Sequence, residues 1–113
     1  MANGKPTLTG KLEAGADLAQ AVQAARQCAL NVIAQLDAAI AHDWSRFVQV
    51  MRLGGFVACA PSFTDAPKVI NGASDLMIQL FGAGRTHARA AIGVASLPLD
   101  ASVEVEATFE IKV

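Results

Sequence analysis

Between Val103 and Val113 the chain alternates without a break. Val103, Val105, Ala107, Phe109, Ile111 and Val113 fall on one side, and Glu104, Glu106, Thr108, Glu110 and Lys112 on the other. A period of two belongs to a strand with one apolar and one polar face. Such a strand cannot stand alone, so the rest of the chain must supply partner strands and a cover for the apolar face. The cover is legible upstream. From Asp17 the apolar residues Leu18, Val22, Ala25, Cys28/Ala29, Val32, Leu36 and Ala39/Ile40 recur at steps of three and four, while Gln20, Gln23, Gln27 and Gln35 fall off that stripe. This predicts a long amphipathic helix with Asp17 as N-cap and His42-Asp43 as its end. A second helix follows the loop from Pro61 to Pro67, with Thr64 or Asp65 as N-cap and Pro67 in the first turn. Its stripe is Val69/Ile70, Ala73, Leu76/Met77 and Leu80/Phe81, and Gly82 and Gly84 stop it.

Arg46 to Cys59 is a nearly continuous apolar run rich in strand formers, which predicts a central strand. The Gly54-Gly55 pair inside it marks a bulge, a bend or a close backbone approach. Ala88 to Ala95 again shows a period of two and predicts another strand, joined to the last by Leu97-Pro98-Leu99-Asp100. Met1 to Gly15 is a lead-in whose short alternating piece, Thr7 to Leu12, fits a strand tail or an edge strand. The order helix, strand, helix, strand, strand implies an α+β class with two helices packed on one face of a sheet.

The 113 residues allow one domain, residues 1–113, and a single core. Apolar residues make up 53%, and about 61% with the nine glycines, against roughly 45–50% in an ordinary soluble domain. Alanine, at 23 residues, explains part of the excess, but charged residues are only 17%. The monomer is short of polar surface to cover itself, which points to a subunit interface. A formal net charge of −1 with no basic run argues against nucleic acid as a partner. No apolar stretch reaches bilayer length, and Met1 to Gly10 carries no signal-peptide core, so a cytoplasmic protein without a membrane partner is expected.

Several chemistries lack their parts. His42 and His87 lie far apart and belong to no cluster with metal-ligand spacing, so no metal is expected. Gly82-Ala83-Gly84 resembles the start of a dinucleotide loop, but His87 stands where the third glycine belongs and a helix precedes it. No Gly-x-Ser-x-Gly elbow or Ser/His/Asp arrangement is evident. Cys28 and Cys59 sit in apolar surroundings and read as small hydrophobes. Arg89 is different, because its strand is otherwise small and apolar and a guanidinium there needs a partner. A period of two puts Ala91, Gly93 and Ala95 on its face, leaving space beside the charge as a pocket wall does. The arginine either holds a carboxylate ligand or seals an interface against a glutamate. Glu104 and Glu106 fit a solvated strand face, and Asn71 fits either a helix polar residue or a loop contact.

The run Gly84-Arg85-Thr86-His87-Ala88-Arg89-Ala90-Ala91-Ile92-Gly93-Val94-Ala95-Ser96-Leu97-Pro98, followed by Val103-Glu104-Val105-Glu106-Ala107, resembles the C-terminal signature of the YjgF or RidA (reactive-intermediate deaminase) family. Leu53-Gly54-Gly55-Phe56-Val57, Pro61 to Val69 and Ile70-Asn71-Gly72-Ala73-Ser74-Asp75-Leu76 are similar to a branch that carries an endoribonuclease or chorismate-mutase-like label. The likeness runs from about Lys5 to Val113.

The resemblance implies a chorismate-mutase-like subunit that forms a homotrimeric barrel with small-molecule clefts between subunits. It also implies a substrate site in which Arg89 holds the carboxylate of an imine or enamine acid, and the deaminase hypothesis built on it takes Asn71 as a cleft contact. The same resemblance makes Glu104 the expected catalytic residue, helping to position the water that attacks the C=N carbon and releases ammonia and a 2-oxo acid. No metal or other cofactor is implied. Two family positions differ: the usual cysteine two residues after the arginine is Ala91, and a family glutamate is Gly93. The family's usual first N-terminal strands, ahead of the segment matching Thr7 to Leu12, are also expected to be absent. The alternative function is a homotrimer that binds a small carboxylate without turning it over. Endoribonuclease activity is opposed by the near-neutral charge and few aromatics, and chorismate mutase activity is suggested by fold analogy alone.

Overall fold

A computed structural model describes residues 6, 8–82 and 87–113. Helix α1 (Leu18–Ala39) leads through a short 3₁₀ turn (Trp44–Arg46) into strand β1 (Phe47–Ala58). Helix α2 (Ala66–Phe81) and strand β2 (Ala88–Val94) follow, and a second 3₁₀ turn (Pro98–Asp100) precedes strand β3 (Val103–Ile111). The sheet order is β2-β1-β3, with β2 parallel and β3 antiparallel to β1. Helix α2 is therefore the crossover of a β-α-β unit, and β1 is the central strand. Both helices cover one face, as the order of elements implies.

The core face of β1 is set by Leu53, Gly55 and Val57, whose register partners are Ala107, Val105 and Val103 on β3. Leu53 and Val57 are fully buried and pack with Val69, Ile70, Ala73 and Met77 of α2. The alternation of β3 is the one expected, with valines inward and glutamates outward. Among the four described aromatic contacts, Trp44, Phe47, Phe81 and Phe109 form a cluster with ring centroids 4.4–6.3 Å apart. It ties the end of α2 to the beginning of β1 and the end of β3.

The glycine pair in β1 marks a close approach. A Cβ on Gly55 would lie 2.4 Å from Cγ1 of Ile70, so α2 rests directly on the backbone there. The register shifts fall earlier, between Phe47 and Gln49 and between Val50 and Arg52. A Cβ on Gly72 would stand 2.2 Å from the carbonyl oxygen of Val22, so the two helices meet almost backbone to backbone. This contact explains a shift in α1: its most buried line is Ala21, Ala25 and Ala29, with Val22 and Val32 at the margin. Only small side chains fit where helix axes approach so closely.

The ends of α1 follow local chemistry. Asp17 caps the start by accepting from the Gln20 N–H at 3.3 Å. The helix closes at Ala39, three residues before His42, because Ala41 and His42 adopt left-handed backbone with φ of 55° and 62°. Asp37 holds this turn, accepting from Trp44 Nε1 at 2.8 Å and pairing with His42 Nδ1 at 2.6 Å. Asp65 precedes α2 without a side-chain cap bond, and Gly82 ends the helix at φ 99°. Gly84 lies outside the described residues, as does Thr7. Among its described residues, the lead-in joins the sheet through isolated bridges, Thr9 to Ala101 and Leu12 to Cys59. Among the described residues, no helix is long and apolar enough to cross a membrane.

Candidate functional site

Strand β2 is an edge of the sheet, and its register fixes what each face carries. Arg89 lies opposite Leu53, Ala91 opposite Gly55 and Gly93 opposite Val57, so these three share the helix-covered side. Gly93 is required there, since a Cβ would come 2.7 Å from Cys59 Sγ. The space beside Gly93 is thus taken by Cys59 Sγ rather than left open as the run of small residues suggested, and Ala95 lies just beyond the end of the strand.

The Arg89 guanidinium reaches across to α2. Nη1 donates to Asn71 Oδ1 at 2.8 Å and to Ser74 Oγ at 3.1 Å, and Nη2 donates to the Pro67 carbonyl at 3.1 Å. Positions 67, 71 and 74 are spaced i, i+4, i+7 and line one face of the helix. These contacts hold the planar fork in one orientation. All three acceptors are uncharged, so the guanidinium keeps its full positive charge while its geometry is set. Arg89 remains exposed at the strand edge. The interface-sealing alternative requires a glutamate partner; within the described chain the contacts are an amide, a hydroxyl and a carbonyl.

Ser74 is 6% exposed, and its hydroxyl also lies 3.2 Å from His87 Nε2. A single oxygen therefore joins the imidazole and the guanidinium. His87 is half-buried, and burial followed by the charge of Arg89 lowers its pKa below the usual histidine value. Sequence reasoning missed both Ser74 and His87. The available signal was that His87 and Arg89 share one side of a period-two segment, and that Ser74 falls one turn after Asn71, off the apolar stripe.

Glu104 stands elsewhere. It pairs in register with Phe56, on the uncovered face of the sheet, and β3 is the opposite edge from β2. Two strand spacings and three positions along β1 separate it from Arg89, about 14 Å between backbones, with the side chains on opposite faces. The fold thus brings Asn71 to Arg89 but does not bring Glu104 to either. Neighbouring acidic groups on that face are engaged: Glu106 with Arg52 at 3.1 Å and Glu110 with Gln49 at 2.8 Å. A broad concavity of ≈ 640 Å³ lies past the C-terminal end of β2, lined in part by Lys11, Cys59, Phe63, Gly93 and Ala95. It is about 13 Å along the strand from Arg89, too far to be read as the pocket of that charge.

The cysteines stay outside this cluster. Cys28 donates its thiol to the Val103 carbonyl at 3.6 Å, and burial pushes its pKa up, which keeps it protonated. Among the described residues, no three His, Cys, Asp or Glu side chains are grouped to hold a metal ion.

Residues 1–110 match the family model described as "YjgF/chorismate_mutase-like, putative endoribonuclease". The chain belongs to this family. Its α+β architecture, two helices on a three-stranded sheet, is the YjgF/chorismate-mutase-like fold. Protein Atu1372 of Agrobacterium tumefaciens, titled as of unknown function, superposes with a TM-score of 0.92 at 47% identity; the match covers all of this chain and 72% of that one. A protein from Shewanella oneidensis titled "putative endoribonuclease" gives 0.87 at 33% identity, covering 97% of this chain and 72% of that one. Protein TCP17 of Trypanosoma cruzi is 47% identical over 106 residues, which are 92% of this chain. The matched part is 65% of TCP17, so this YjgF-family chain spans slightly less than two thirds of that relative.

Proposed function

We propose that the protein hydrolyses reactive imine or enamine acids to 2-oxo acids and ammonia, in a cleft between copies of the chain. The carrying observation is an exposed arginine positioned by neutral acceptors only, which leaves its charge for an anionic ligand. In this reading Arg89 takes the substrate carboxylate, Asn71 and Ser74 fix the fork, and Glu104 positions the attacking water. Since Arg89 and Glu104 project from opposite faces and opposite edges of one sheet, the glutamate of each cleft comes from a neighbouring copy. Ile92 and Met51, 49% and 48% exposed, leave apolar surface for such an assembly to cover. A homotrimer is the expected stoichiometry and the cytoplasm the expected compartment.

The reaction needs orientation of an electrophilic carbon and a water, which fixed side chains can supply. Purified protein and Arg89→Ala are incubated with 2-iminopropionate generated in situ, and hydrolysis above the spontaneous rate is measured. Acceleration by the parent alone supports the reading. Arg89-dependent binding of pyruvate without acceleration indicates a carboxylate-binding assembly instead. Mixing tests the shared cleft: Arg89→Ala and Glu104→Gln, each inactive, are co-assembled at equal amounts. Random assortment restores intact clefts in about one quarter of positions if the two residues come from different copies, and in none if they come from one.

A further inference from the structure

We propose that His87, held by Ser74, is the proton-transfer residue of the Arg89 site, acting at the nitrogen of a small 2-imino carboxylate. The proposal rests on the deaminase reading and adds to it a residue and a step. Ser74 Oγ is within hydrogen-bond distance of both His87 Nε2 and Arg89 Nη1, so these nitrogens are at most about 6 Å apart. In a 2-imino acid the nitrogen lies about 3 Å from the nearer carboxylate oxygen, by ordinary bond lengths and angles. Nη1 spends both of its N–H groups on Asn71 and Ser74, so the carboxylate takes the N–H groups of Nη2 and Nε that are free among the described residues, and in the proposed pose its C=N group lies on the side of the guanidinium that faces the imidazole.

A guanidinium can only donate, so Ser74 Oγ spends one lone pair on Arg89 and keeps a second to accept from His87 Nε2–H. In this tautomer the imidazole is neutral and Nδ1 carries the free lone pair, so the ring can take a proton there. Among the described residues, the charge acting on this ring is Arg89 on β2, and α2 contributes the Ser74 hydroxyl. Both burial and that charge favour the neutral form, which is the form a base requires.

The steps balance. Water attacks the carbon of the protonated imine, the C–O bond forms, the C=N π pair moves to nitrogen, and His87 takes the water proton. The imidazolium returns this proton to the amino group, the C–N bond breaks with its electron pair leaving on ammonia, and C=O forms as the carbinol proton passes to His87. That last proton goes on to ammonia or to solvent.

Two readouts test this on the full chain. His87→Gln keeps a polar side chain in place but cannot carry a proton. Its kcat for 2-iminopropionate falls by about 10²-fold or more, KM changes by less than about threefold, and the acidic limb of the kcat profile disappears. Separately, pyruvate as product analogue shifts the His87 Cε1–H resonance and raises the pH at which it titrates, and both effects vanish in Arg89→Ala. Wild-type turnover with an unchanged rate and pH profile in His87→Gln overturns the proposal and leaves the deaminase reading standing. Arg89-dependent pyruvate binding that does not move the His87 resonance overturns it equally. No turnover by folded wild-type protein removes the deaminase reading and this step with it.

Discussion

Replacing Asn71 by Asp exchanges a neutral acceptor for a charged one of the same shape, 2.8 Å from Arg89 Nη1. The variant thereby separates two roles of the contact: orienting the guanidinium and leaving its charge unspent. As an exposed ion pair, the new carboxylate adds no more than about 1 kcal/mol to stability, so the urea midpoint hardly moves. For an anionic ligand the consequence is larger, because the fork is already neutralised and a charge-assisted hydrogen bond worth about 1.5–3 kcal/mol must be shared or broken. Carboxylate affinity is expected to fall by about 10- to 150-fold. Asn71→Ala removes the positioning contact but keeps the charge, and its loss should stay below about tenfold. The assay is equilibrium binding of pyruvate to wild type and both variants at one ionic strength. If Asn71→Asp binds pyruvate as tightly as wild type, or more tightly than Asn71→Ala, the neutral-acceptor account of Arg89 is wrong.

Three further outcomes follow from the packing and the titrating groups. Gly72→Ala sets a methyl against the Val22 backbone oxygen, which no rotamer relieves, so stability should drop by about 1–3 kcal/mol despite the gain in helix propensity; urea unfolding with an unchanged m-value checks it. His87 binds a proton less readily folded than unfolded, so its contribution is fully present above the unfolded value near 6.5 and is lost as pH falls through the lowered folded value. The urea midpoint of wild type should therefore fall more than that of His87→Gln between pH 7.5 and 5, and equal slopes would contradict this. Asp17→Ala removes the cap on Gln20 and should cost about 1 kcal/mol, seen as a lower midpoint with intact sheet signals by NMR.

What the sequence disclosed follows how local each determinant is. Period two placed β3 and its faces because side-chain alternation is a property of the strand itself, and the Asp17 cap was legible because it acts within one turn. The buried line of α1 was displaced because the partner decides it: Gly72, fifty residues away from Val22, lets the backbones meet and favours alanine over valine. The end of α1 depended on Asp37 gathering Trp44 and His42, a convergence that no stripe records. Arg89 stood out as the one charge in a small apolar strand. Its partners did not, since Asn71 and Ser74 read as ordinary polar positions of a helix until the parallel pairing of β1 and β2 lays α2 over that strand.

The same topology links the composition to the site. A three-stranded sheet covered on one side has one bare face and two edges, and here the bare face carries Phe56, Ile92 and Glu104 while one edge carries Arg89. Covering that face with another copy conceals apolar surface that the 17% of charged residues is too few to screen. It also moves a carboxylate from the back of one sheet toward the arginine at the edge of another, a meeting that no motion within one chain achieves. In the proposed shared cleft, assembly and chemistry depend on the same contact, and a substitution that separates the copies, such as Ile92→Asp on the bare face, should abolish the proposed turnover while leaving the Arg89, Asn71 and Ser74 cluster of each copy intact. Retained turnover by a monomeric Ile92→Asp protein would place the complete site within one chain.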